Sequence, residues 1–455
     1  MTCRKNQKGT ALLISMIVLG ILAAWAVSIN SICGANLQLA ENQHKANAAR
    51  ACAESGLDIV RYWISSVSID GTTESGLVFV KIVDHLQDDL APAFTVTYDG
   101  SSIIIPNVTL DADKQQSFSA AITPIDAETL QVDVTGHEGS IDKTIRVNYA
   151  YGTRTSTVFD FGVATKGPLH LAGNIELTGI NVSVEASVYI ESPNSTVALT
   201  ITGNSQIAGD VSITNPLGTI DLEGGQASIA GETDEEGISE HVFIGVPSTE
   251  FPTPDPDYFE PYATNIVDSN TDTTSDATFE NIRIVAGTNP VFSGSVVING
   301  IVYIETPNIV TFTGNVDITG IVVGDGDIQD DSGTNEINFL GSVASSSVTE
   351  LPDEEQFADL RDETGTFVMA PGFDVSFGGS FDTLNGAIAA SGINFFGDAG
   401  GVIEGSVINY SDDEMTLAGN SDLSFNRSGI TEMPAGFVPE IILEYNPASY
   451  SEIII

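Results

Sequence analysis

The chain has 455 residues, with 62 acidic against 15 basic side chains and a formal net charge of −47. Such a surface repels nucleic acid, which is excluded as a partner, and anionic membranes, and suits cations, saline water or a basic partner. The apolar share of 42% excludes a disordered chain, and the length predicts two or three domains.

Arg4, Lys5 and Lys8 precede an apolar run from Thr10 to Cys33. That run is long enough to cross a bilayer as a helix. Its basic flank places the N-terminus in the cytoplasm and everything after it in the periplasm or outside. Beyond Gly34 the small and apolar residues Leu39, Ala46, Ala49, Ala53, Leu57, Val60 and Ile64 step by three, four or seven, which is one face of a helix. The spacing predicts one rod, transmembrane over 10–33 and amphipathic over 34–70.

Lys8-Gly9, the apolar run behind it and the stretch Arg50-Ala51-Cys52-Ala53-Glu54-Ser55-Gly56-Leu57 resemble the type IV pilin superfamily, and in particular its PilX-type minor pilins. The resemblance implies cleavage by a prepilin peptidase between Gly9 and Thr10. It implies that Leu12, Leu13, Ile14, Ile17, Leu19, Ile21 and Leu22 pack among other pilin-like subunits and inner-membrane assembly proteins. Major pilins carry Glu at the fifth mature position, where this chain has Ile14. That departure points to a tip or accessory subunit of a pilus or type II secretion pseudopilus. Two other readings of the N-terminus stand beside it: a signal peptide cut after Ala24-Trp25-Ala26, and an uncut membrane anchor. Ile32 before Cys33 excludes a lipoprotein.

Cys3 lies in the leader. Cys33 and Cys52 sit roughly 28 Å apart on one helix, too far for a bridge. Residues 71–157 read as a small α/β unit with a helix near 75–86. Strands are predicted at 94–98, 102–106, 118–123, 130–135 and 144–150, the last two joined as a hairpin.

From residue 158 short apolar pairs alternate with polar residues and glycine corners. The phrase apolar-x-Gly-Asn recurs at 171–177, 201–207, 312–318 and 417–423. Val188-Tyr189-Ile190-Glu191 recurs as Val302-Tyr303-Ile304-Glu305. Repeats of this kind predict a mainly β fold, a right-handed parallel β-helix over 158–435 with rungs of about 20 residues. Excursions near 233–285 and 345–366 interrupt it, with short helices expected at 250–263 and 351–363. A strand or cap closes the chain over 436–455.

Catalysis is not expected. Asn270-Thr271-Asp272 falls in a loop, and no lysine follows Lys166. A carboxylate pair could hydrolyse a glycoside, but among so many acids any pair arises by chance. Asp325, Asp327, Asp330 and Asp331 cluster as hard-cation ligands do, so calcium is the one cofactor to consider. Three functions follow in order: a minor pilin-like subunit presenting an acidic β-solenoid, a tethered or secreted solenoid that binds a polysaccharide or surface without a pilus, and a polysaccharide-degrading enzyme.

Overall fold

The computed structural model describes residues 8–67, 69–91, 93–224, 226–329, 333–428 and 433–453. The stretch from Lys8 to Ser65 holds no proline and forms one unbroken helix, α1, of 58 residues. At 1.5 Å per residue it is about 87 Å long. The chain divides into two units. The first comprises Met1–Val67, Glu74–Gly152 and Ile442–Ile455; the second comprises Ser68–Thr73 and Thr153–Ile441.

In the first unit a six-stranded sheet packs on the C-terminal half of α1. Its order is Thr97–Tyr98, Ile103–Asp111, Gln116–Pro124, Thr129–Glu138, Ile141–Arg154 and Glu440–Ile453. The four pairings among the first five strands are antiparallel. Alternation sends Phe118, Ala120, Ile122, Val132, Val134, Ile145 and Val147 inward against Ala49, Ala53, Leu57, Val60 and Ile64 of the helix, all buried. Glycine allows the close approach. A side chain at Gly136 would run into the helix backbone at Ala49 and Ala53, and one at Gly56 would meet the Phe118 ring at 2.5 Å. A second helix, α2 (Val78–Leu90), begins and ends slightly later than expected and buries Val78, Ile82, Val83, Leu86 and Leu90. The packed stripe of α1 is shorter than the periodicity suggested, because Leu39 is 68% exposed and burial starts near Ala49.

The second unit is a solenoid of parallel strands, three to a rung. Its first face is read through the outward residues of one register: Ile266, Arg283, Tyr303, Val323, Met369, Ala389, Ile408, Ala164, Tyr189, Ser212 and Phe243. Spatial order is therefore not chain order. The chain enters mid-stack at Val163, climbs to Ile244 at one end, crosses to the other end through 245–264, and climbs back until the rung of Val407–Phe425 stacks on the rung of Val163–Gly179. The step from Ile282 to Val302 to Val322 keeps the expected rung of about 20 residues.

The crossover explains the first face. Phe251, Phe259 and Ala263 from it, with Val348, Leu351, Phe357 and Leu360 from the second excursion, form a buried cluster on the outward residues of that face. Strands covered on both sides read as continuous apolar runs, as in Ile301–Ile304 and Phe367–Ala370. The helices expected in these excursions are short 3-10 segments, at Pro256–Tyr262, Val348–Glu350, Glu355–Phe357 and Leu360–Asp362. Pro261 denies the first a longer hydrogen-bonded run. The tail does form a strand, Glu440–Ile453; it continues the six-stranded sheet rather than closing a solenoid end.

Inside the second face five phenylalanines stack. Phe292, Phe312, Phe339, Phe377 and Phe395 lie 4.9–5.1 Å apart between centroids, within 12° of parallel. The rung spacing of about 4.8 Å imposes this separation.

Candidate functional site

The N-terminal half of α1 is a surface without a partner among the described residues. Leu12, Leu13, Ile14, Ile17, Leu19, Ile21 and Leu22 are all exposed, as are Trp25, Ile29 and Ile32. A soluble helix does not leave apolar side chains uncovered all round, and α1 is long and apolar enough to span a membrane. Gly9 and Thr10 stand in the first turns of the helix. Cys33 is exposed, Cys52 is buried, and both are free thiols.

The recurring Gly-Asn phrase marks one corner of the solenoid. Asn204 Nδ2 donates to Asn174 Oδ1 (3.1 Å), and Asn174 Nδ2 donates to Asn420 Oδ1 (2.9 Å). Gly419, Gly173 and Gly203 have φ of +97°, +119° and +76°, which favours glycine. The two most alike copies, 171–177 and 417–423, are adjacent in space although they are far apart in sequence. Arg427 reinforces this junction, donating to the carbonyls of Glu185 (3.1 Å), Phe159 (3.1 Å) and Val184 (2.9 Å).

The opposite corner is lined by buried polar side chains that satisfy turning backbone. Asn308 Oδ1 accepts from Asn289 N, Asn335 Oδ1 from Asn308 N, and Asn409 Oδ1 from Ile393 N. Outside this corner lies a cleft of about 400 Å³ lined by Lys166, Asp374, Tyr410, Asp412 and Asp413 among others. Lys166 Nζ sits 5.3 Å from the Phe251 ring centre. Burial pushes the carboxyl of Asp374 up, helped by Glu336 and Asp413. Burial also pushes Glu191 up, against the pull of Lys166. The arrangement holds an amine amid carboxylates; each shift follows from desolvation first.

Of the proposed cation ligands, Asp325 Oδ1 accepts from Thr306 N (2.6 Å) and Asp327 Oδ1 from Gln329 N (2.9 Å). Asp330 and Asp331 lie outside the described residues. Among the described residues no group of three or more His, Cys, Asp or Glu could hold a metal ion. Asn270-Thr271-Asp272 is in a loop, where Asp272 accepts from Thr274 N and is held at about 2.

Sequence reasoning missed the second face. Its outward register runs Val291, Thr311, Asn338, Ser376, Asn394, Thr416, His170, Thr200 and Asp221. No described element of the unit covers it. The signal was present: small polar residues alternate with Val310/Phe312, Ile337/Phe339, Val375/Phe377 and Ile393/Phe395, so each polar residue had to point out.

No family model matches the chain, and no curated protein matches it. Among solved structures it is similar to the competence-associated pilin ComZ from Thermus thermophilus, at 12% identity over 90% of this chain and 97% of that one, with a TM-score of 0.21. It is also similar to an ice-binding protein from the Antarctic ascomycete Antarctomyces psychrotrophicus, at 11% identity over 59% and 95%, TM-score 0.17. A third is the ice-binding protein LeIBP from an Arctic yeast, at 13% identity over 62% and 96%, TM-score 0.19. At these TM-scores none of the three likenesses carries an argument.

Proposed function

We propose that this chain is a pilin-like, non-enzymatic subunit, anchored in the inner membrane by α1 and presenting its acidic solenoid outside. One observation carries the reading. A single helix has an uncovered apolar half and, without a break, a second half packed into a sheet of its own unit. The first half suits lipid or similar helices, and the second ties whatever the first joins to a folded unit. Prepilin peptidase cuts between Gly9 and Thr10, and the freed helix enters a filament or pseudopilus as an accessory subunit, since Ile14 stands where a shaft subunit has Glu.

Mass spectrometry of the mature N-terminus tests this. A start at Thr10, together with recovery of the protein in sheared filaments, supports it. A start at Val27 or an intact Met1 overturns the processing step, and recovery only in membranes or free medium overturns the filament role.

A further inference from the structure

The centre of the solenoid's open second face lacks the acids that dominate the chain's composition. From Thr311 to Thr200 its outward register carries no carboxylate, in a chain with 62 acids. The next outward positions, just after the inward Phe312, Phe339, Phe377, Phe395, Leu417 and Leu171, are Thr313, Leu340, Gly378, Phe396, Ala418 and Ala172, again without one. Acids line one border of it: Glu336 and Asp374, register partners two residues before Asn338 and Ser376, and Glu414; Glu336 accepts from Asn338 Nδ2 (2.8 Å), and Glu414 Oε1 lies 3.2 Å from His170 Nδ1. Inside the strip, Thr311, Ser376, Asn394, Thr416 and Thr200 find no side-chain hydrogen-bond partner among the described residues, so their donors and acceptors face out. Phe396 is 40% exposed and lies against Gly378, where an added Cβ would meet its ring at 2.6 Å.

We propose that this strip binds a neutral polysaccharide chain running along the stack, across the strands. Three features select that ligand. Hydroxyls and amides recur on every rung of the register except that of His170, at steps of about 4.8 Å, close to the advance of one pyranose ring in an extended glycan. An exposed phenyl ring offers the apolar face on which a sugar ring stacks. The strip lacks charge while the surrounding surface repels polyanions and collects cations, so discrimination is for uncharged sugars. A cationic glycan would be held by the acidic faces instead and would leave in salt. The inference uses the solenoid alone and stands or falls separately from the anchor reading.

The test is retention of the full chain, purified in detergent, on microcrystalline cellulose as the probe. Retention is expected, and it persists at high salt of about 1 M, where charge attraction is screened. Phe396→Ala and Thr416→Glu are each expected to weaken it about tenfold or more. Thr278→Glu, an exposed position outside the strip on the strand Ala277–Ile284, paired with Val297, leaves it unchanged. Unfolding curves establish that all three variants are folded. Loss of binding in salt, an equal effect of Thr278→Glu, or adsorption to ice crystals without retention on cellulose overturns the proposal.

Discussion

The first and second faces of the solenoid are built from the same rungs, yet one is sealed and the other open. Outward on the first face stand Tyr303, Val323, Met369 and Ala389; outward on the second stand Asn338, Ser376, Asn394 and Thr416. The difference lies in the crossover. A chain that starts mid-stack must return along the outside to reach the other end, and it lays Phe251 and Phe259 on the face it travels. That face had to become apolar on both sides, and the untravelled face stayed free for solvent or a ligand.

The comparison can be broken most directly inside the stack. Phe339→Ala removes a fully buried ring stacked between Phe312 and Phe377, and is expected to cost about 4 kcal/mol in denaturant unfolding. Its neighbour Asn338, pointing out of the second face, is expected to change stability by no more than about 0.5 kcal/mol on replacement with Ala. Equal effects would mean that the faces are not sided as described. On the sealed face, Phe259→Ala is expected to cost about 3 kcal/mol and to expose 245–264 to proteolysis well before the rungs are cut. At the junction of first and last rungs, Arg427→Met leaves three carbonyls without their donor and is expected to cost roughly 2 kcal/mol.

The smallest effects concern pH, and two acids oppose each other. Burial raises the folded pKa of Glu191, so its charged form disfavours folding, and the protein gains stability as pH falls through that pKa toward the unfolded one. Glu191→Gln is therefore expected to raise the melting temperature at neutral pH and to lose that advantage near about pH 4. Asp272 is lowered to about 2, so its stabilising contribution is complete above the ordinary carboxylate range and is lost as pH falls toward its folded value. Asp272→Asn is expected to lower the melting temperature slightly at neutral pH and not at all in strong acid. The reverse order of these two would contradict the burial assigned to Glu191 and the hydrogen bonds assigned to Asp272.

How much of this could be read from the residues follows from the range of the forces involved. The rod, the hairpin of 129–154 and the alternating rungs are set by neighbours in sequence, and each was legible. The stacking order was not. Leu171-Ala172-Gly173-Asn174 and Leu417-Ala418-Gly419-Asn420 are alike and lie side by side, but a repeat shows that two segments share a backbone shape, not which are neighbours. The same holds for the tail. Ile441, Ile442 and Leu443 announce a strand, and nothing local to them names the sheet they join. The open strip was visible only as polar residues between phenylalanines, a pattern that acquires meaning once the rungs are aligned.

The solenoid is an insertion between two neighbouring strands, Ile141–Arg154 and Glu440–Ile453, of the sheet that α1 is packed into. A ribosome must therefore finish every rung before that sheet can receive its last strand. A chain stopped before Glu440 would keep every rung and lack the sheet's sixth strand.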